Sequence, residues 1–259
     1  ILRHIIYKNT VTEHTVVSLS KIYRIKIHFF QIVNAADSSF LVELETCTLL
    51  FDWYTGDLPE VDRSKPLYVF NSHHHGDHYS PEIFRLGMED TWYILGNCIR
   101  LSAKRKAAYA IDEDHVFRLG GGRTLELHGL HIETLTSTDS GVAFLIEVEG
   151  KTIYHAGDLH WWHWDLEPDS WNSWVEEQFK RYTAPLRDRQ LDLAFLLLDP
   201  RQQHAADWGF RYLLDTARIR RAFPMHQWGD YSATGSFLAR CPQYTPKVVP
   251  VSWEGQRWT

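Results

Sequence analysis

Cysteine is scarce. Three occur in 259 residues, Cys47, Cys98 and Cys241, widely spaced and with no CxxC pair. That excludes a disulfide framework and a thiolate zinc site, and reads as ordinary core or surface thiols of a cytoplasmic protein. No apolar run reaches the roughly 18 residues a membrane-spanning helix needs. The opening Ile1-Leu2-Arg3-His4-Ile5-Ile6 is too short and too broken by charge for a signal peptide. Long basic stretches are lacking as well. Lys and Arg number 27 against 33 Asp and Glu, a formal charge of −6. Sequence-independent nucleic-acid binding rests on cations that neutralise phosphates, so the balance counts against a nucleic-acid partner.

Apolar residues make up 44% of the chain, with 11 Trp, enough for a full core. The length fits one large domain. Residues 1–22 carry no clear period and read as an N-terminal extension; residues 23–259 read as a single domain. Apolar residues from Ile22 to Ile32 suggest a first strand. Strands follow at 39–44, 47–52, 67–71 and 92–95. A helix opens at Pro81, with Ser80 as its N-cap. A β-rich middle covers 115–118, 124–127 and 131–135, with Gly120-Gly121-Gly122 as a hairpin turn. Residues 142–148 and 151–155 form a hairpin across Glu149-Gly150. An amphipathic helix occupies 168–189, a continuous apolar strand 193–198, and a further helix 209–218.

The most informative stretch is Ser72-His73-His74-His75-Gly76-Asp77-His78. It follows the apolar run Leu67-Tyr68-Val69-Phe70 and offers imidazoles and a carboxylate within a few residues. Imidazole suits zinc and iron, and an added carboxylate is common in catalytic sites. An expression tag sits at a terminus, not behind a buried strand. Three other apolar strands also end in His or Asp: those before Asp139, before Asp158 and before His226. Ligand-bearing strand ends in one sheet converge on one rim. A buried carboxylate such as Asp158 needs a partner, and a cation is a natural one.

His73-x-His75-x-Asp77-His78 resembles the HxHxDH signature of the metallo-β-lactamase superfamily. The resemblance covers roughly residues 24–256. Asp52 at the end of Leu-Leu-Phe-Asp, Gly157-Asp158 and His226 match the supporting positions. Ser137-Thr138-Asp139-Ser140-Gly141 with His155-Ala156-Gly157-Asp158 is similar to a branch related to the ascorbate-6-phosphate lactonases. The resemblance implies an α/β fold, a four-layer αββα sandwich of two mixed β-sheets face to face with helices outside. It also implies two divalent metal ions, zinc first and Mn or Fe as alternatives. One ion takes His73 and His75, the other Asp77, His78 and His226, and Asp158 bridges them. A hydroxide held by the metals then attacks an ester, lactone or phosphodiester, with Asp77 as the catalytic residue that orients the water. The chain departs from the pattern where the family supplies a third histidine to the first metal. Here Asp139 either ligates in its place, or caps its turn through its own backbone and leaves the first site incomplete, which favours a single metal and a mononuclear site.

His74 alternates with two ligands and points away from the metals. His131 is too far. His155 reads as packing. His160 and His163 stand beside a run of tryptophans, either against substrate or in a packed loop. Arg201 either grips a substrate phosphate or carboxylate or pairs with Asp199; His204 is a candidate proton donor and Trp228 a pocket wall. The expected function is therefore a metal-dependent hydrolase of a small-molecule substrate. A nuclease of the same superfamily and a non-catalytic or redox metal-binding protein are the alternatives. The lack of a signal peptide counts against a periplasmic β-lactamase.

Overall fold

Two mixed sheets carry the site, and which strands run parallel decides where the site lies. The computed structural model describes residues 31–36, 38–56, 58 and 61–259; the extension expected at 1–22 and most of the strand expected from Ile22 fall outside them. The first sheet contains β1 (Gln31–Ala36), β2 (Ser39–Glu43), β3 (Thr48–Phe51), β4 (Leu67–Asn71), β5 (Thr91–Gly96) and β6 (Val116–Leu119). A short C-terminal strand, Arg257–Trp258, pairs outside β1, and the order is otherwise sequential. The second contains β7 (Thr124–Leu127), β8 (Leu130–Thr136), β9 (Val142–Val148), β10 (Lys151–His155), β11 (Gln190–Leu197) and β12 (Arg218–Met225), again in chain order.

In the first sheet β3, β4, β5 and β6 run parallel, and in the second β10, β11 and β12 do. Parallel neighbours end on the same side. Asp52, Ser72, Asp158, Asp199 and His226 each follow such a strand, which brings them to one rim. One backbone bond ties the sheets there, Val142 N–H to Ser72 O at 3.1 Å.

Strand alternation sorts the core. Phe40, Val42, Tyr68 and Phe70 face the second sheet, whereas Leu41, Leu67 and Val69 face outward into a smaller cluster around Ile83 and Leu95. Between the sheets, Phe40 packs on Phe195 and Phe70 on Phe144, with ring centroids 4.4 and 5.2 Å apart. The helix at Asp169–Thr183 buries Val175 and Phe179, and the helix at Trp208–Thr216 buries Phe210, Leu213 and Leu214. The expected two mixed sheets with helices are what the chain forms.

Several local expectations are corrected. The element at Pro81–Arg85 is one 3₁₀ turn, capped by Ser80 as expected. Gly120-Gly121-Gly122 is a crossing between sheets, not a hairpin: β6 pairs with β5 and β7 with β8. A side chain at Gly121 would meet Thr136 Oγ1 at 2.2 Å, so the crossing passes too close to β8 for a Cβ. The helices at Ala103–Ala108 and Ser232–Arg240 are additional to those read from the sequence. No helix among the described residues is long and apolar enough to cross a membrane.

Candidate metal centre

The loop after β4 is shaped before any ligand is counted. Asn71 Nδ2 donates to His78 O at 2.6 Å, and His78 N–H and Tyr79 N–H both donate to His75 O. Ser72 N–H and Oγ donate to the two oxygens of Asp52 at 2.6 and 2.7 Å. Gly141 (φ +69°) and Gly157 (φ +50°) lie directly against Ser72; a Cβ at Gly141 would sit 2.0 Å from Ser72 O. Those two glycines let three chain segments touch where a side chain on either would separate them.

Two groups of ligand-type atoms result. His73, His75, Asp139 and Asp158 form one, and Asp77, His78 and His226 the other; within each, the atoms lie within 4.8 Å of one another. Asp158 presents an oxygen to each: Oδ2 is 3.5 Å from His73 Nε2, and Oδ1 is 3.1 and 3.6 Å from the Nε2 atoms of His78 and His226. Asp77 Oδ2 is 3.6 Å from His78 Nε2 and 3.5 Å from His226 Nε2. His78 Nε2, Asp158 Oδ1 and His226 Nε2 are buried with no hydrogen-bond partner. Buried polar atoms are rarely left unpaired. Three that converge on one point fit a divalent cation in both geometry and donor chemistry.

The electrostatics agree. Burial opposes charge on Asp158, yet His78, His226 and His73 hold its carboxyl well below the usual range. Burial and the neighbouring His78 push His73 down to about 4, leaving it the neutral imidazole a ligand must be. Burial opposes the protonation of His78 and His226. The carboxylates around them override it, raising His78 well above its ordinary value and His226 to about 9. These are the protons a cation displaces.

Outer partners orient the imidazoles. A carboxylate only accepts, so His78 Nδ1–H donates to Asp52 at 2.7 Å, and the proton a cation displaces is the one on Nε2, which faces the cluster. His226 Nδ1–H donates to Asp199 at 3.0 Å with the same effect. Asp52, His226 and Trp228 all have positive φ, at 45°, 65° and 52°. Such backbone costs about 1–3 kcal/mol per residue and collects at functional sites.

The sequence left Asp139 with two readings. In the structure Ser137 Oγ, not the Asp139 carboxylate, accepts from the Asp139 N–H at 3.2 Å. The carboxylate lies 3.4 Å from His75 Nδ1, and burial and the charge of Asp158 raise its pKa. Arg201 pairs with Asp199, Nε to Oδ1 at 3.0 Å and the terminal nitrogen to Oδ2 at 2.6 Å, and stacks 4.2 Å over Trp228. His160 departs from the expectation that it meets substrate. It is 2% exposed, and its Nε2–H donates to Gln202 Oε1 at 2.8 Å. Its ring packs against Gly209, where a Cβ would stand 2.8 Å away, so the chain folds it inward. His155 is packing: its ring stacks on Phe51 and its Nε2 donates to Ser38 O. His131 pairs with Glu126 at the surface, away from the cluster.

A cavity of about 330 Å³ opens over the cluster, walled by Trp162, Trp164, Trp171 and Trp228, with Arg201 at its edge. The wall includes Trp171, which the sequence reading placed only on an amphipathic helix. A larger cavity of about 790 Å³ lies behind the loop beside His74, Tyr79 and Arg100 and is lined by none of the clustered ligands. His74 is thus on the far side, as alternation requires.

Fold and site together define a metallo-β-lactamase-type protein. The sequence profile of the family described as "Beta-lactamase superfamily domain" matches residues 31–166, just over half the chain, and the chain belongs to that family. A protein named UPF0173 metal-dependent hydrolase from Desulforamulus reducens is 33% identical over 144 residues, which cover 47% of this chain and 58% of that protein. The chain therefore spans somewhat more than half the length of that curated relative. Among solved structures, Igni18, a metallo hydrolase from Ignicoccus hospitalis, is similar with a TM-score of 0.56 and 18% identity, over 88% of this chain and 97% of that one. CmlA, a diiron beta-hydroxylase from Streptomyces venezuelae, is similar with a TM-score of 0.55 and 10% identity, over 89% of this chain and 54% of that one. At these identities the solved structures share the fold and no more.

Proposed function

We propose that the protein is a metal-dependent hydrolase acting on a small ester or lactone. The observation that carries this reading is the convergence of three buried, unpartnered atoms, His78 Nε2, Asp158 Oδ1 and His226 Nε2. The name of the Desulforamulus reducens relative agrees with it. His73, His75 and Asp139 would hold one divalent ion and Asp77, His78 and His226 the other, with Asp158 shared between them. Zinc suits this mixed imidazole and carboxylate set, and Mn or Fe also accepts it.

Such ions supply an acidified water and polarise the bond under attack. The protein does the rest. Asp52 and Asp199 fix a proton of His78 and His226 on Nδ1, so that Nε2 is the atom each would give to the ion. Asp77 reaches into the cavity and stays ionised, held down to about 2: burial opposes this, but the imidazoles of His226, 3.5 Å away, and His78 outweigh it. It is placed to orient the attacking water and to accept its proton. The tryptophan walls give the cavity an apolar lining beside the cluster.

The cavity favours an ester or lactone over a phosphodiester. Its one lining arginine, Arg201, is already paired in two-pronged fashion with Asp199, so no free cation waits for a phosphate. The similarity of 137–141 and 155–158 to the lactonase branch agrees with a cyclic ester. The test is a screen of aryl esters, lactones and phosphodiesters with zinc-loaded protein and with His75→Ala. Hydrolysis of esters or lactones that the variant loses supports the reading. Equal rates in parent and variant, or turnover of phosphodiesters alone, contradicts it.

A further inference from the structure

Outside the main cluster, the described residues hold one other gathering of metal-ligand atoms: His163, Asp165 and His204, whose donor atoms lie within 4.8 Å of one another. His163 Nε2 is 3.6 Å from Asp165 Oδ1, and His204 Nδ1 is 3.8 Å from Asp165 Oδ2. A tetrahedral zinc with bonds of about 2.0–2.2 Å sets its ligand atoms roughly 3.3–3.5 Å apart. The two contacts to Asp165 come within a few tenths of an ångström of that spacing, and the donor set as a whole lies within 4.8 Å.

The positions are built rather than incidental. His163 and His204 come from segments 41 residues apart, with rings 5.6 Å apart, and Trp208 packs against both, at 4.7 and 5.4 Å. Gln202 clamps the first segment by donating to Trp161 O and His163 O, at 3.1 and 3.4 Å. Gln203, just before His204, has φ 52° and ψ −113°. That sparsely populated backbone turns the chain and sets His204 beside Asp165. Asp165 and His204 are more than half exposed, which leaves the outer coordination position to water.

We infer that His163, Asp165 and His204 form a second, separate zinc-class site, with two imidazoles, one carboxylate and water. It joins the segment that follows Asp158 to the turn that follows Asp199. The residues between and beside its ligands, Trp164 and Arg201, line the cavity over the main cluster. An ion here therefore pins two walls of that cavity against each other and sets how readily they part.

The intact protein, His204→Ala and Asp165→Asn are each dialysed against micromolar zinc chloride and assayed for bound metal. Amide exchange is followed with and without zinc. Both substituted side chains are largely exposed, so folding is preserved. Each variant is expected to bind one zinc fewer than the parent. In the parent alone, zinc slows exchange in residues 160–167 and 200–206. Unchanged stoichiometry in either variant, or zinc protection of those segments that survives His204→Ala, overturns the inference.

Discussion

Asp52→Asn isolates the orienting role of a buried carboxylate from its role in folding. Asp52 is fully buried and accepts from Ser72 N–H, Ser72 Oγ–H and His78 Nδ1–H at 2.6, 2.7 and 2.7 Å. Asparagine has the same shape and keeps one oxygen for the Ser72 N–H. Its NH₂ then faces Ser72 Oγ, which can turn to accept, and His78 Nδ1, which can accept only by moving its proton to Nε2. That proton points at Asp158 Oδ1, 3.1 Å away. The substitution thus removes a ligand without touching it. Losing such an outer partner weakens metal binding by about 10–100-fold, or about 1.4–2.7 kcal/mol at 1.36 kcal/mol per decade. Replacing charge-assisted bonds by neutral ones costs about 1–3 kcal/mol of apo stability, so the variant remains folded. Zinc competition with a chromophoric chelator measures the first quantity and urea unfolding of metal-free protein the second. Zinc affinity equal to the parent's, in a variant folded to the same extent, refutes the claim that Asp52 sets the His78 tautomer.

Asp139→Ala should lower metal content by about one equivalent and leave the other ion bound; unchanged content by elemental analysis would make Asp139 a turn residue only. Gly141→Ala forces a Cβ within 2.0 Å of Ser72 O at φ +69° and should cost about 3–5 kcal/mol in urea unfolding. Gly150 has the same φ with nothing within 4 Å, so its alanine variant should cost only about 1–2 kcal/mol; equal costs would contradict the packing argument. Burial, reinforced by the charge of Glu149, pushes the Cys47 thiol from 9.0 up to about 12. A folded pKa above the unfolded one gives stability that is complete below pH 9 and lost as pH rises toward 12. Cys47→Ala should therefore show a shallower fall in melting temperature over that window than the parent.

Much of this architecture is legible in the sequence because two-sided strands leave a strong pattern. Leu67-Tyr68-Val69-Phe70 is apolar throughout because its alternate residues serve two clusters. His73, His75, Asp77 and His78 are local in sequence and could be read directly. Asp158 and His226 are remote, and the shared pattern of apolar strands ending in His or Asp, together with family resemblance, linked them to the loop. Parallel pairing of β10, β11 and β12 is the physical reason they meet it. The role of Asp139 was undecidable from spacing, because ligation and turn-capping use the same carboxylate; its direction, and the Ser137 hydroxyl that takes over the cap, exist only in three dimensions. Ala103–Ala108 buries no residue and so has no apolar period to detect. Ser232–Arg240 contains Gly235 and buries only Thr234 and Phe237. His160 follows Asp158 by two residues, which suggested a shared cavity; the space left by Gly209, in a distant segment, draws it into the core instead.

The central claim is that the two groups of ligand atoms joined by Asp158 bind metal. Anomalous diffraction at the zinc edge from zinc-soaked crystals tests it directly. The account predicts one peak among His73, His75, Asp139 and Asp158 and a second among Asp77, His78, His226 and Asp158. Ordered side chains with no anomalous peak at either place would contradict it.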